Sequence, residues 1–274
     1  MSYTPVVPLS GYAGWKFLNR TIEKQQAAFV ASAEIQRNED YFREKIGGIK
    51  TAEELVSDRR LLTVALGAFG LDDDINNKYF IRKVLEEGTL DTKSLANKLS
   101  DKSYLALSEA FGFGDFSTPR TVLSDFADGI LAKYEARQFE IAVGNADQAM
   151  RLAMTVQREL PELAADDASE STKWYQIIGS PALSEVMRTA LGLPDSVGSL
   201  NVDQQVNVYK QKTEQIFGSS DPSQFAGAEE LDKLLKSYLL RAQLTDTSSI
   251  SSGSAALQLL QGGTSGNSIL SILV

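Results

Sequence analysis

The run Asp72-Asp73-Asp74-Ile75-Asn76-Asn77 is the densest set of oxygen ligands in the chain. Calcium loops open on such a spacing, but they need glycine at the sixth position and a bidentate glutamate at the twelfth. Here those positions hold Asn77 and Lys83. The expectation is instead a helix start, whose carboxylates meet the positive end of the helix dipole. The run Phe111-Gly112-Phe113-Gly114-Asp115 lacks the lysine and the preceding strand of a phosphate loop, and reads as a helix stop followed by a turn. The acidic pairs Glu53/Glu54, Asp166/Asp167 and Glu229/Glu230 offer carboxylates for acid–base chemistry. They leave a carboxylate-based hydrolase as the least favoured reading, because each pair is better explained as a solvated helix end or loop. The chain has no histidine and no cysteine. That removes the commonest general base, the thiolate nucleophile, disulfides, and zinc sites built on those ligands. No catalytic residue, cofactor-binding residue or metal ligand is assigned, no cofactor is expected, and the chain reads as a non-enzyme.

The elements that carry these residues must be folded: at 274 residues and 43% hydrophobic content the chain is too apolar for disorder and long enough for a sizeable core. The net charge of −9 leaves only short basic spots such as Arg59-Arg60, so nucleic acid and anionic membrane surfaces are unfavourable partners. No stretch approaches the length of apolar residues a membrane span needs. Met1 to Leu18 has no charged start followed by an apolar run. The expectation is a cytoplasmic protein, or one exported without a cleaved signal peptide.

Helical periodicity recurs throughout, and alternating β-branched runs do not. Trp15 to Ala33 places Trp15, Leu18, Ile22 and Phe29 at helical spacing. Asn38 is expected to cap Glu39 to Ile46, and Thr51 with Glu54 has the capping-box pattern. Asp73 or Asp74 is expected to cap Ile75 to Glu87, with Tyr79, Phe80 and Val84 inward; Asp91 opens a short helix toward Leu99. A long helical stretch begins at Thr118-Pro119, breaks near Gly144-Asn145 and resumes over Gln148 to Leu163. Pro161 ends that helix early or sits in its last turn. Further helices are expected over Ser171–Ile178, Pro181–Leu191, Val202–Phe217 and Glu229–Leu244.

Three segments share one design. Asp58 to Gly70, Ser100 to Gly112 and Ser180 to Gly192 each set a capping residue twelve positions before a glycine. The glycine follows Ala-Phe or Ala-Leu, and an apolar residue comes next: Leu71, Phe113 or Leu193. The cap satisfies free N–H groups, the glycine closes the helix in the left-handed conformation, and the apolar residue folds back onto the last turn. An acidic residue then follows, at Asp72, Asp115 and Asp195.

Tyr134-Glu-Ala-Arg137-Gln-Phe139-Glu140-Ile-Ala-Val143-Gly144, running on through Met150, Arg151 and Ala153 to Arg158-Glu159-Leu160, resembles the signature of the alphaproteobacterial domain-of-unknown-function family number 1217. The Ala68-Phe69-Gly70-Leu71 and Ala110-Phe111-Gly112-Phe113 segments fit the same family, and the likeness is clearest over residues 50–165. Arg137 and Glu140, three residues apart on one helix, are expected to pair on its surface. The resemblance implies a link to flagellar genes and motility, and it brings no activity, cofactor or site residue.

The fold expected is all-α: an irregular multi-helix bundle of about ten helices with repeated helix–glycine turns. Its parts are an N-terminal helical unit over 1–165, a smaller one over 166–244, and a flexible Ser/Gly-rich tail over 245–274. The functional expectation is a structural or accessory protein tied to flagellar assembly, working by helix-to-helix contact with protein partners. The alternative is a cytoplasmic interaction or chaperone-like module unrelated to motility. The contact residues expected are Leu257, Leu260, Ile269, Leu270, Ile272 and Leu273, with the helices around Thr121–Leu163 as a further surface.

Overall fold

Thirteen α-helices and five short 3-10 turns make up the described part of the chain, with no strand among the described residues. They are α1 (Gly11–Val30), α2 (Ala33–Lys45), α3 (Ala52–Ser57), α4 (Arg59–Phe69), α5 (Lys78–Glu87), α6 (Leu95–Lys98), α7 (Ser103–Phe111), α8 (Phe126–Gly144), α9 (Gln148–Ala165), α10 (Glu170–Gly179), α11 (Pro181–Ala190), α12 (Val202–Phe217) and α13 (Ala228–Gly262). The computed structural model describes the backbone of residues 3–262 and the side chains of 3–245. No helix among the described residues is long and apolar enough to cross a membrane.

Helix α4 shows why the sequence folds this way. Leu61, Leu62, Val64, Ala65, Leu66, Ala68 and Phe69 are all buried, so the helix is apolar on almost every face and must be surrounded. Helices α2, α3, α7 and α8 pack around it. Gly67 allows the closest approach: a methyl group there would meet the Tyr134 ring of α8 at 2.9 Å. Helix α8 then packs on α9, α9 on α11 and α13, and α1 lies against α13 and α8. Helix α12 packs on α10. One continuous cluster of buried side chains runs from Trp15 and Phe42 through Phe139 and Met150 to Trp174, Val186 and Leu239.

Local signals explain most boundaries. Thr51 and Glu54 form the capping box at α3: the Thr51 hydroxyl accepts from the Glu54 N–H, and the Glu54 carboxylate accepts from the Thr51 N–H. Pro161 lies inside α9, near its end at Ala165. The buried Lys173 ammonium donates to the Ala164 carbonyl at 2.8 Å, satisfying one acceptor that the helix end leaves free.

Six local expectations are corrected, two of them helix starts: the stretch expected from Thr118-Pro119 becomes an α-helix only at Phe126, after a 3-10 turn at Arg120–Val122, and α6 starts at Leu95 after Ser94 rather than at Asp91. Asn38 is no cap: α2 starts a turn earlier, after Ser32, and the Asn38 amide donates to the Tyr134 hydroxyl instead. Neither Asp73 nor Asp74 caps α5, because residues Asp72–Asn76 form a 3-10 turn and α5 begins at Lys78. The three carboxylates therefore diverge: Asp72 accepts from Gln138, while Asp74 accepts from Tyr104 and Asn77. Tyr79 is 79% exposed; Ile81, Val84 and Leu85 form the inner face of α5. The last helix runs beyond Leu244 to Gly262.

The cap-to-glycine design holds in full at two of its three sites. Asp58 accepts from the Arg60 and Leu61 N–H groups, Gly70 is left-handed at φ 73°, and the Leu71 N–H returns to the Leu66 carbonyl at 3.0 Å. Ser180 accepts from the Leu183 N–H, Gly192 has φ 65°, and the Leu193 N–H returns to the Arg188 carbonyl at 3.0 Å. At the middle site Gly112 closes α7 at φ 66°, but Ser100 caps nothing. The helix starts at Ser103, whose N–H is taken by Asp101.

Candidate functional site

Four charged side chains meet where α8 crosses α9. Glu140 is 5% exposed, and charge at that depth needs a partner. Arg158 supplies it with a two-pronged contact: Nε to Oε1 at 2.8 Å and Nη2 to Oε2 at 2.9 Å. The Thr155 hydroxyl donates to Oε2 at 3.1 Å, so both oxygens of Glu140 are engaged. Arg137 and Arg158 then share Glu159, each donating to its Oε1, at 3.0 and 3.1 Å. The geometry follows from helix periodicity. Arg137 and Glu140 lie three residues apart, so both face α9, while Thr155, Arg158 and Glu159 fall on one face of α9.

The surface pair expected between Arg137 and Glu140 is not what forms. Each takes its partner from the other helix, and the set is largely shielded from water. The electrostatics agree with a clamp. Burial, reinforced by the neighbouring Arg158 charge, lowers the Arg137 pKa from its ordinary value. Burial also works against the Arg158 charge, but hydrogen bonds to Glu140 outweigh it and raise the pKa. Arg137 reaches further, to the end of α4: a methyl group on Gly70 would meet its Nη1 at 2.5 Å. The left-handed turn thus doubles as the seat of a guanidinium.

The acidic pairs take structural partners. Glu54 serves its capping box, Glu53 pairs with Arg82, Asp166 accepts from the Ala168 N–H, and Glu229 and Glu230 both pair with Lys233. Asp115 accepts from the Thr89 N–H, the Thr89 hydroxyl and the Leu90 N–H; burial opposes its charge, but these hydrogen bonds hold its carboxyl below the ordinary range. Leu257 and Leu260 lie on the backbone of α13, beyond the residues whose side chains are described, and Ile269, Leu270, Ile272 and Leu273 lie outside the described residues.

Residues 68–225 match the family described as protein of unknown function, DUF1217. The chain belongs to the DUF1217 family. The matched stretch holds the whole α8–α9 clamp together with Gly70 and Gly192, and it stops before α13. The residues that carried the family likeness in the sequence, Tyr134 to Leu160, are therefore the ones that build the clamp. The X-ray crystal structure of a protein from Agrobacterium tumefaciens, a structural-genomics target, superimposes with a TM-score of 0.72 at 25% identity. The match covers 88% of this chain and 99% of that one, so the fold is shared nearly end to end. No curated protein matches the chain.

Two features of this DUF1217 chain carry no sequence motif. Glu39, buried in α2, lies beside Glu135 of α8. Nothing local marks it, since it stands in an ordinary polar run, Gln36-Arg-Asn-Glu39-Asp. The other is the outer face of α13, where Leu240 and Leu244, one turn apart, are 45% and 70% exposed.

Proposed function

We propose that the chain is a non-enzymatic helical protein that works through protein–protein contacts, as a structural or accessory component linked to flagellar assembly or motility. The observation that carries the contact reading is α13. Among the described side chains its last fully buried one is Leu239; its backbone continues to Gly262, and Leu240 and Leu244 are set outward on the way. Two large apolar side chains one turn apart form the seam that a partner helix covers. The motility link rests on the resemblance of Tyr134 to Leu160 to sequences associated with flagellar genes; the family description itself names no function.

Deleting the gene tests the motility link: loss of swimming with short or absent filaments is expected, and normal swimming with normal filaments overturns it. Complementation with Leu240→Ser/Leu244→Ser tests the surface. The variant is expected to keep the wild-type melting temperature, fail to restore swimming, and lose the proteins that co-purify with wild type. Full rescue by the variant removes α13 as the contact.

A further inference from the structure

The corner between α1 and α2 encloses an open groove of about 630 Å³, lined by Glu23, Gln26, Ala27, Val30, Ala31, Gln36 and Glu135. Its make-up is ordered. Ala27 and Val30 from the last turns of α1, with Ala31 just after it, form an apolar strip, and the lining also holds carboxylates from two helices, Glu23 of α1 and Glu135 of α8. None of the described residues that line it is basic. Behind two of the lining residues stands Glu39 of α2: Gln36 donates to its Oε2 at 3.3 Å, and Glu135 lies next to its carboxyl. Glu39 is 5% exposed, and its Oε1 is buried without a hydrogen-bond partner. A buried carboxylate oxygen left unsatisfied beside a second carboxylate is costly unless a cation or a proton arrives.

We propose that this groove takes a basic peptide segment of a protein partner, laying the aliphatic stem of an arginine or lysine along Ala27, Val30 and Ala31 and its charged head on Glu135 and Glu23. This rests on the reading of the chain as a contact protein, and it names a second surface, apart from the outer face of α13. Long basic side chains match such a lining because they bury an apolar stem and keep a charged tip. The chain's net charge of −9 adds long-range attraction for a basic partner.

The site carries its own pH dependence. Burial and the Glu135 charge push the Glu39 pKa up to about 7. Facing Glu39 are Glu135 and Tyr134 from α8, and Arg43 and Asp40 from its own helix. Arg43 lowers the value, but its guanidinium is engaged by Asp128. Arg60, on the neighbouring α4, turns away to the Arg37 carbonyl. Below about pH 7 Glu39 keeps its proton; above it Glu39 adds a negative charge behind the groove, which a bound cation offsets. Affinity therefore rises with pH.

The test uses the full chain and a fluorescent six-residue peptide of alternating arginine and alanine, followed by anisotropy at low salt. Binding is expected to be saturable and stronger at pH 8 than at pH 6 by roughly tenfold, the effect of about one proton released over the last pH unit of the titration. Glu23→Gln/Glu135→Gln is expected to weaken it by roughly tenfold at pH 8. The control Asp166→Asn/Asp167→Asn removes the same charge elsewhere and is expected to change it less than about twofold. Glu39→Gln is expected to flatten the pH dependence while leaving the melting temperature at pH 6 unchanged. Equal weakening by both double variants reduces the site to non-specific attraction and overturns the proposal. No binding, or spermidine binding as tightly as the peptide, also overturns it. A homodimer of the free protein that Glu23→Gln/Glu135→Gln dissolves overturns it in favour of a second copy. A failed peptide assay leaves the motility phenotype and the Leu240/Leu244 result standing, so the two readings fail separately.

Discussion

Asp58–Gly70 and Ser180–Gly192 are built to the same local plan, and they differ in what each part of the plan holds. In the first, the capping carboxylate also accepts from the Tyr41 hydroxyl of α2 at 2.7 Å. Its glycine seats Arg137 of α8, and the acid after it, Asp72, accepts from Gln138 of α8 at 2.7 Å. In the second, Ser180 caps its own helix at 3.4 Å, and the following acid, Asp195, pairs with Arg188 of the same helix. Gly192 also faces a guanidinium, that of Arg241 on α13. The difference lies in the arginines. Arg137 is tied into the clamp with Glu159, Arg158 and Glu140, while Arg241 is exposed. The same sequence device thus ties α2, α4 and α8 together in one place and joins only α11 and α13 in the other. Its energetic weight is set by the neighbours, not by the motif.

The sharpest way to break that comparison is to remove the arginine network. Arg158→Ala leaves Glu140 buried without its counter-charge, and is expected to cost about 3 kcal/mol in urea unfolding. Arg241→Ala, at an exposed site, is expected to cost less than about 0.5 kcal/mol. Similar losses in the two variants would show that the clamp is energetically ordinary.

Next come the glycines. A methyl group at either forces a strained left-handed residue, at about 1–2 kcal/mol. At Gly70 it also drives into Arg137, which is held in place by Glu159; at Gly192 the exposed Arg241 swings aside. Gly70→Ala is expected to cost about 2 kcal/mol and Gly192→Ala about 1 kcal/mol. The reverse order would mean that the first arginine yields as easily as the second.

The caps follow. Asp58→Ala loses two helix N–H partners and the Tyr41 hydroxyl, while Ser180→Ala loses one long hydrogen bond. About 1.5 and 0.5 kcal/mol are expected, within the range measured for caps. Equal effects would reduce both to ordinary helix starts.

What the sequence made legible divides along the same line. Helices, glycine stops and the Thr51–Glu54 box were readable because each depends on residues within a few positions of one another. The clamp was half readable. Arg137, Glu140, Arg158 and Glu159 stood inside the quoted signature, but spacing along one helix favoured an Arg137–Glu140 pair. The true partners lie 18 and 22 residues away, and the choice belongs to the crossing of α8 over α9. Asn38 and Ser100 were misread for a related reason: a capping residue type occurs in many helices, and only the surrounding packing selects where the chain turns. The same holds for Tyr79, where the helix was right but its rotation was not. Glu39 gave no local sign at all, since only the α8 helix laid beside it makes its carboxyl unusual.

The smallest expected effect concerns acid. Burial works against the Asp58 charge, but the Tyr41 hydroxyl and the Leu61 and Arg60 N–H groups outweigh it and lower its pKa. A carboxyl depressed in the folded state adds stability above its unfolded pKa and loses it as pH falls through the folded one. The first unit should therefore weaken as pH falls below the ordinary carboxylate range, whereas the second, capped by a serine, has no such titration at its cap. Asp58→Asn separates the two roles. Asparagine caps as well as aspartate, so stability at pH 7 should fall by less than about 1 kcal/mol. The part of the acid slope that Asp58 supplies should disappear, and Ser180→Asp should add a comparable slope only to the extent that the new carboxylate finds a partner beyond its own helix. If Ser180→Asp reproduces the slope in full, the neighbours of the first cap contribute nothing, and the two units are equal after all.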